Sequence, residues 1–328
     1  MPKAVRFYEL GGPEVLKVEE VTLRQPGEGE AAMRVEAVGL NRAESMYFHG
    51  QYMEQPQFPA GLGYEAVGTI TAVGPGGNPS MVGKTFGTVP GYSMNKYPVL
   101  GEEAVVPVSS LAALPESLSA VEGAAVWMQY GTAYGALIAL SKVGPGDFVV
   151  ITAASSSVGL AAIQLVKDAG AVAIATTRTS AKKARLLELG ADHVIATEEE
   201  DLAARVKEIS GGKGARVVFD PVGGSYMDTL AKATANEGTL YLYGMLSGEP
   251  PVYPMSSFGR GISLTSYTLH QMTGVPERFE TMKKYIFERL ADGRFKPEVA
   301  KTFPLAQAVD AYKYLESNQQ VGKVVITV

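Results

Sequence analysis

Between residues 123 and 295 the chain alternates strand-like and helix-like runs, and this constrains its fold more than any single motif. Phe148 to Thr152 is an apolar run of strand length, and Val158 to Ala169 carries its apolar residues at helical spacing. Ala171 to Thr177 reads as a second strand and Ser180 to Leu189 as a helix closed by Gly190. The pattern continues through strand His193 to Ala196, helix Leu202 to Ile209, and strands Arg216 to Asp220 and Thr239 to Tyr243. Strands separated by helices pair in parallel, with helices on both faces: a doubly wound α/β domain of Rossmann type.

The flanks differ. Residues 1–122 hold short β runs, among them Ala31 to Val38, Ala66 to Val73 and Glu103 to Val108, broken by Gly and Pro. Such spacing suits a barrel-like β unit. Residues 296–328 add a helix, Leu305 to Leu315, and a last strand, Lys323 to Val328. The tail is expected to complete the first domain, which makes residues 123–295 an inserted domain.

Several function classes are excluded by composition. The formal charge is −5 and no Lys/Arg-rich run occurs, which argues against a nucleic-acid partner. No apolar stretch reaches about 18 residues, so no membrane span is expected. The first residues, Met1 to Arg6, lack the apolar core of an export signal, and the expected compartment is the cytoplasm. There is no cysteine, which removes disulfides, thiolate catalysis and cysteine-ligated metal.

The first strand of the inserted domain runs into Ala153-Ala154-Ser155-Ser156-Ser157-Val158-Gly159 and then a helix. A dinucleotide pyrophosphate sits at such a helix start, where free N–H groups and the helix dipole favour negative charge. Serines stand where glycines are usual, and a serine-rich turn that merely caps a helix is common. Its place between strand and helix in a long βαβ series favours a cofactor. Ser156, Ser157 and Val158 are the expected contacts. The end of the next strand separates NAD from NADP, because a carboxylate roughly 20 residues into the unit holds the ribose 2′-OH in NAD-binding chains. Here the segment is Thr176-Thr177-Arg178-Thr179-Ser180, with Lys182 and Lys183 following. Thr177, Arg178 and Lys182 form a pocket suited to a 2′-phosphate, and the expected cofactor is NADPH.

Motifs spread over the whole chain resemble the medium-chain dehydrogenase/reductase superfamily, in its zinc-free quinone oxidoreductase branch. Gly39-Leu40-Asn41-Arg42-Ala43-Glu44 resembles the segment that carries a catalytic cysteine in zinc alcohol dehydrogenases, with Asn41 at that position and Ala43 replacing the proton-relaying hydroxyl. Gly61-Leu62-Gly63-Tyr64-Glu65 resembles the Gly-His-Glu segment, with Tyr64 in place of the zinc histidine. In Trp127-Met128-Gln129-Tyr130-Gly131-Thr132, Met128 lies near the third ligand position. The cysteine-rich lobe for structural zinc is absent too. The resemblance implies a GroES-like β-barrel domain carrying the inserted Rossmann domain, no metal, and a homodimer joined through edge strands such as Gly261 to Tyr267.

The same resemblance implies roles for individual residues. Asn41 and the Gly50-Gln51-Tyr52 turn match residues beside the nicotinamide, and Thr132 matches a threonine that contacts it. Lys182 matches the lysine of the 2′-phosphate. Phe219 to Gly224 and Tyr243-Gly244-Met245 match strand ends facing the cofactor, and Asn318 matches a polar residue of the C-terminal tail. The serine-rich loop, Met46 in place of an aromatic and Thr197 in place of an adenine-side tyrosine depart from the pattern.

Without a metal, hydride can add to the β-carbon of an enone or to a quinone, because charge spreads into an enolate or hydroquinone that hydrogen bonds suffice to stabilise. Tyr52 is expected either to donate to the enolate or hydroquinone oxygen or to the carbon being protonated, or only to pack in its loop, and Asn41 to orient the nicotinamide amide or ribose. The three histidines are far apart in sequence. His193 suits a structural place at a strand start, and His49 lies between the two matched motifs. An enoyl or alkenal reductase would use the same residues. From another class, the chain would be an NADPH-binding structural or sensory protein with little turnover.

Overall fold

Six strands form the parallel sheet that the alternation predicts. In chain order they are β1 (Phe148–Ile151), β2 (Val172–Thr177), β3 (His193–Ala196), β4 (Ala215–Asp220), β5 (Thr234–Leu242) and β6 (Ser263–Ser266). Their order across the sheet is β3-β2-β1-β4-β5-β6, and every pairing is parallel. The connection reverses direction between β1 and β4, which makes the carboxyl ends of those strands the topological switch point of a doubly wound sheet. Helix α1 (Ser157–Asp168) follows β1 and turns Ile163, Leu165 and Val166 fully inward. Burying each contributes roughly 1.5–3 kcal/mol. Val150, Ile174, Ile195, Val218, Leu230 and Leu240 form the core between the sheet and its helices.

The computed structural model describes residues 1–328 and divides into two compact units, residues 1–128 with 276–328 and residues 129–275. The sequence-based boundaries, 122 and 296, differ from these. The helix Pro276–Ala291 belongs with the flanking unit, although strand–helix alternation runs on through it.

In the flanking unit the strand Glu30–Gly39 is central. It pairs antiparallel with Glu65–Val73, with Glu103–Pro107 and with the last strand, Lys323–Thr327. The tail therefore does complete this sheet, and the register sets Val325 opposite Gly39. Two helices start differently from their sequence pattern. Ser180–Lys182 and Leu305–Gln307 are 3-10 turns, and the α-helices proper are Lys183–Glu188 and Ala308–Glu316. Apolar periodicity does not distinguish a 3-10 first turn from an α one.

Candidate active site

In the unit of residues 129–275, the chain leaves β1 through Thr152 to Ser156 and enters α1. Ser156 caps this helix: its hydroxyl oxygen accepts the Gly159 N–H at 3.1 Å. A Cβ at Gly159 would stand 2.6 Å from Ala154 Cα, so a side chain there would lift the helix off the loop. Ser157 and Val158, the first residues of α1, are partly exposed.

One cation, from the segment that follows β2, reaches this loop, and a second lies near it. Lys182 Nζ donates to Ser155 Oγ at 3.2 Å. Burial, and secondly the charge of Arg178, lower the Lys182 pKa. Arg178 itself is exposed, whereas Lys183 is drawn into an ion pair with Glu200. The Thr177 carbonyl accepts the Thr197 N–H at 2.8 Å and the Thr197 hydroxyl at 3.3 Å, which fixes the end of β2. Like charges held near hydroxyls at a helix start are arranged to receive an anion.

The ends of β4 and β5 adjoin the same loop. The buried Asp220 carboxylate accepts the Thr152 hydroxyl and, at 2.7 Å, the Gly223 N–H, while burial raises its pKa. Tyr243 stacks on Phe219 with ring centroids 4.0 Å apart, and burial pushes its hydroxyl well above the usual phenol range. Gly244 lets the chain pass Pro221, whose carbonyl oxygen would lie 2.9 Å from an added Cβ. Thr132 is buried on the helix Trp127–Tyr134.

In the flanking unit, Asn41 stands at the N-cap of the helix Arg42–Phe48, where Glu44 reaches back to its N–H and the Asn41 side chain itself makes no cap hydrogen bond. Asn41 N–H donates to Glu44 Oε2 at 2.6 Å. Asn41 Nδ2 donates to Gly39 O at 2.9 Å and to Glu44 Oε1 at 3.3 Å, while its Oδ1 accepts Lys323 Nζ at 2.6 Å. Lys323 also reaches Glu65 Oε2 at 2.7 Å, with both side chains sealed from solvent. Glu65 Oε1 in turn accepts the N–H groups of Val126 and Met128, at 3.0 and 3.1 Å. Glu44 takes the Tyr64 N–H at 3.1 Å and the Tyr312 hydroxyl at 3.2 Å, and burial raises its pKa to about 7 against these hydrogen bonds.

Tyr52 is half-buried, its ring 6.2 Å from that of Tyr64. Burial raises the pKa of both phenols, and a hydrogen bond between the two lowers that of Tyr52 and raises that of Tyr64. Both hydroxyls are neutral at physiological pH. Asn318, in a left-handed conformation at φ 58°, accepts Arg42 through Oδ1 at 2.6 Å. His49 Nε2 lies 3.0 Å from Glu316, and His193 is exposed at its strand start.

Two family models match the chain: the alcohol dehydrogenase GroES-like domain over residues 27–116, and a domain described as zinc-binding dehydrogenase over residues 157–288. Quinone oxidoreductase 1 of Escherichia coli (strain K12) is 31% identical over 98% of both chains. The chain belongs to the medium-chain dehydrogenase/reductase superfamily, in its quinone oxidoreductase branch. The 2-haloacrylate reductase of a Burkholderia species is 30% identical over 99% of each chain. The crystal structure of Escherichia coli quinone oxidoreductase complexed with NADPH superposes with a TM-score of 0.91 at 29% identity, covering 99% of this chain and all of that one. This medium-chain reductase is accordingly an oxidoreductase with a GroES-like domain and an inserted Rossmann domain.

The structure brings Lys182 to the loop after β1, with the charge of Arg178 near it, and embeds Asn41 in a buried network. Sequence reasoning missed Ser155 as the partner of Lys182, and it gave no role to Glu44, Glu65 or Lys323. One signal was present: Lys323 opens the apolar run Val324-Val325-Ile326, and a lysine in a buried strand requires a carboxylate. The contact between Tyr52 and Tyr64 had no such signal.

Proposed function

We propose that this reductase is a cytoplasmic, zinc-independent homodimer that uses NADPH to reduce a quinone or another α,β-unsaturated carbonyl. The observation that carries the reading is the contact of Lys182 with Ser155, with the charge of Arg178 near Lys182, across the carboxyl ends of β1 and β2. In this reading Arg178, Lys182 and Thr177 hold the 2′-phosphate, Ser156, Ser157 and Val158 the pyrophosphate, and Gly244, Thr132 and Asn318 adjoin the rest of the cofactor. Bound NADPH supplies a hydride from the nicotinamide C4. Asn41 orients the nicotinamide side, and Tyr52, a neutral phenol, donates a hydrogen bond or proton to the acceptor as its charge develops.

The donor set does not suit zinc. Asn41 Oδ1 is taken by an ammonium 2.6 Å away, which would repel a cation. Tyr64 is a phenol held in its neutral form, and Met128 offers only a thioether. Zinc sites are built from thiolate, imidazole and carboxylate. The haloacrylate reductase among the relatives favours an activated alkene as acceptor, since an acrylate conjugates its double bond to a carboxylate. The test is NADPH and NADH oxidation against a panel of quinones, enones and haloacrylates, in a chelator and without it. Turnover with NADPH and at least one panel member, unaffected by the chelator, is the expected result. No turnover across the panel would leave only a binding protein.

A further inference from the structure

The capacity of Asn41 to contact a nucleotide is set by its neighbours, Lys323 among them. An asparagine side chain offers two donor hydrogens and two acceptor lone pairs. Both Nδ2 hydrogens of Asn41 are directed into the protein, to Gly39 O at 2.9 Å and Glu44 Oε1 at 3.3 Å. One Oδ1 lone pair goes to Lys323 Nζ at 2.6 Å. An ammonium has no acceptor capacity, so the amide cannot present its nitrogen to Lys323. What remains of a side chain only 7% exposed is a single lone pair.

Lys323 is placed for this by the fold. The register of the last strand against Glu30–Gly39 sets Val325 opposite Gly39 and brings Lys323 to the end of the strand that leads into Asn41. Its charge is met by Glu65 at 2.7 Å, and the other oxygen of Glu65 accepts the Val126 and Met128 N–H groups. One buried ion pair thus ties together the segments of Asn41, Tyr64-Glu65 and Val126 to Met128. Breaking such a pair from one side is costly, whereas replacing both partners by neutral groups is often close to neutral.

We propose that Lys323 is a positioning residue that holds the Asn41 amide in one orientation, so that Asn41 recognises a nicotinamide nucleotide only through the donor hydrogens of its carboxamide NH₂. This rests on the reading that the protein binds NADPH beside Asn41. The test is equilibrium binding, followed by protein fluorescence, of NADPH and of 2′-phospho-ADP-ribose, which keeps every phosphate but lacks the nicotinamide. The ratio of their affinities isolates the nicotinamide contacts. In the paired variant Lys323→Met with Glu65→Gln, the introduced amide oxygen keeps an acceptor for Val126 and Met128. The ratio is expected to fall about fivefold there, 2′-phospho-ADP-ribose affinity to stay within twofold, and Asn41→Ala to add nothing further in that background. Non-additivity of this kind marks groups acting as one unit. If the paired variant does not fold, Lys323→Arg keeps the charge but displaces the amide, and the same fall in ratio is expected. An unchanged ratio, or a full Asn41→Ala effect in the variant background, overturns the proposal. Equal affinity of the unmodified protein for both ligands would instead remove the underlying placement of Asn41 beside the nicotinamide, and the proposal with it.

Discussion

Lys182 Nζ lies 3.2 Å from Ser155 Oγ, so a cation from the end of β2 reaches across to the loop that follows β1. The contact joins two neighbouring strands of the sheet at the point where a dinucleotide would place its adenosine ribose. With Arg178 helping to depress the Lys182 pKa, the two like charges are poised to share an incoming anion.

The first consequence is cofactor choice. Each charge-assisted hydrogen bond to the 2′-phosphate contributes roughly 1.5–3 kcal/mol, so NADPH should bind at least tenfold tighter than NADH. Arg178→Ala with Lys182→Ala should erase most of that preference and leave NADH affinity nearly unchanged. Added salt should weaken NADPH more than NADH, since the extra contacts are ionic and partly exposed. Dissociation constants for both nucleotides at two salt concentrations decide the matter, and tighter NADH binding by the unmodified protein would reverse the assignment.

Tyr52 should matter in the transition state and little in the ground state. Tyr52→Phe keeps the ring against Tyr64 but removes the hydroxyl. Turnover is expected to fall by one to two orders of magnitude, about 1.4–2.7 kcal/mol, with the NADPH dissociation constant within twofold. An unaltered kcat would make Tyr52 a packing residue for Tyr64.

The alternation of strand and helix made the Rossmann unit legible, because period and length both distinguish its elements. The last strand was legible as a completion of the flanking sheet. The buried network was not. Glu44, Glu65 and Lys323 are scattered through the sequence, and only the register of Lys323–Thr327 on Glu30–Gly39 gathers them. Asn41 was found for its place in a motif, but its partners depend on that pairing. Ser155 was passed over because a serine before a helix reads first as a cap, a task that Ser156 performs.

Assembly should follow from the sheet edge. β6 pairs only with β5 and closes the sheet on that side. The segment before it exposes Val252, Tyr253, Met255 and Phe258, each more than half exposed. An open edge with apolar residues beside it invites a second copy. Light scattering at micromolar concentration should give a dimer, and Thr265→Pro, which removes a backbone donor from β6, should shift it toward monomer. A monomeric unmodified protein would count against the edge as an interface.

The stability of the flanking unit should fall as pH rises toward neutrality, through Glu44. Its carboxyl is fully buried, and burial raises its pKa from 4.5 to about 7. Between those values the folded protein keeps a proton that the unfolded chain has released, so raising the pH favours unfolding. Below about 4.5 both states are protonated, and above about 7 both are ionised, so the slope is confined to that window. Raising the carboxyl from 4.5 to about 7 corresponds to ~3 kcal/mol. Glu44→Gln cannot ionise, and its amide can donate to the Tyr312 oxygen, which now gives its proton to the carboxylate. The variant is expected to lie below the unmodified protein in stability at about pH 5, where Glu44 is neutral and well bonded, and to close that gap by up to ~3 kcal/mol at about pH 8. Urea unfolding of both proteins at the two pH values measures the gap directly. A gap that stays constant would mean that the donors from Asn41, Tyr64 and Tyr312 hold Glu44 ionised throughout, despite its burial.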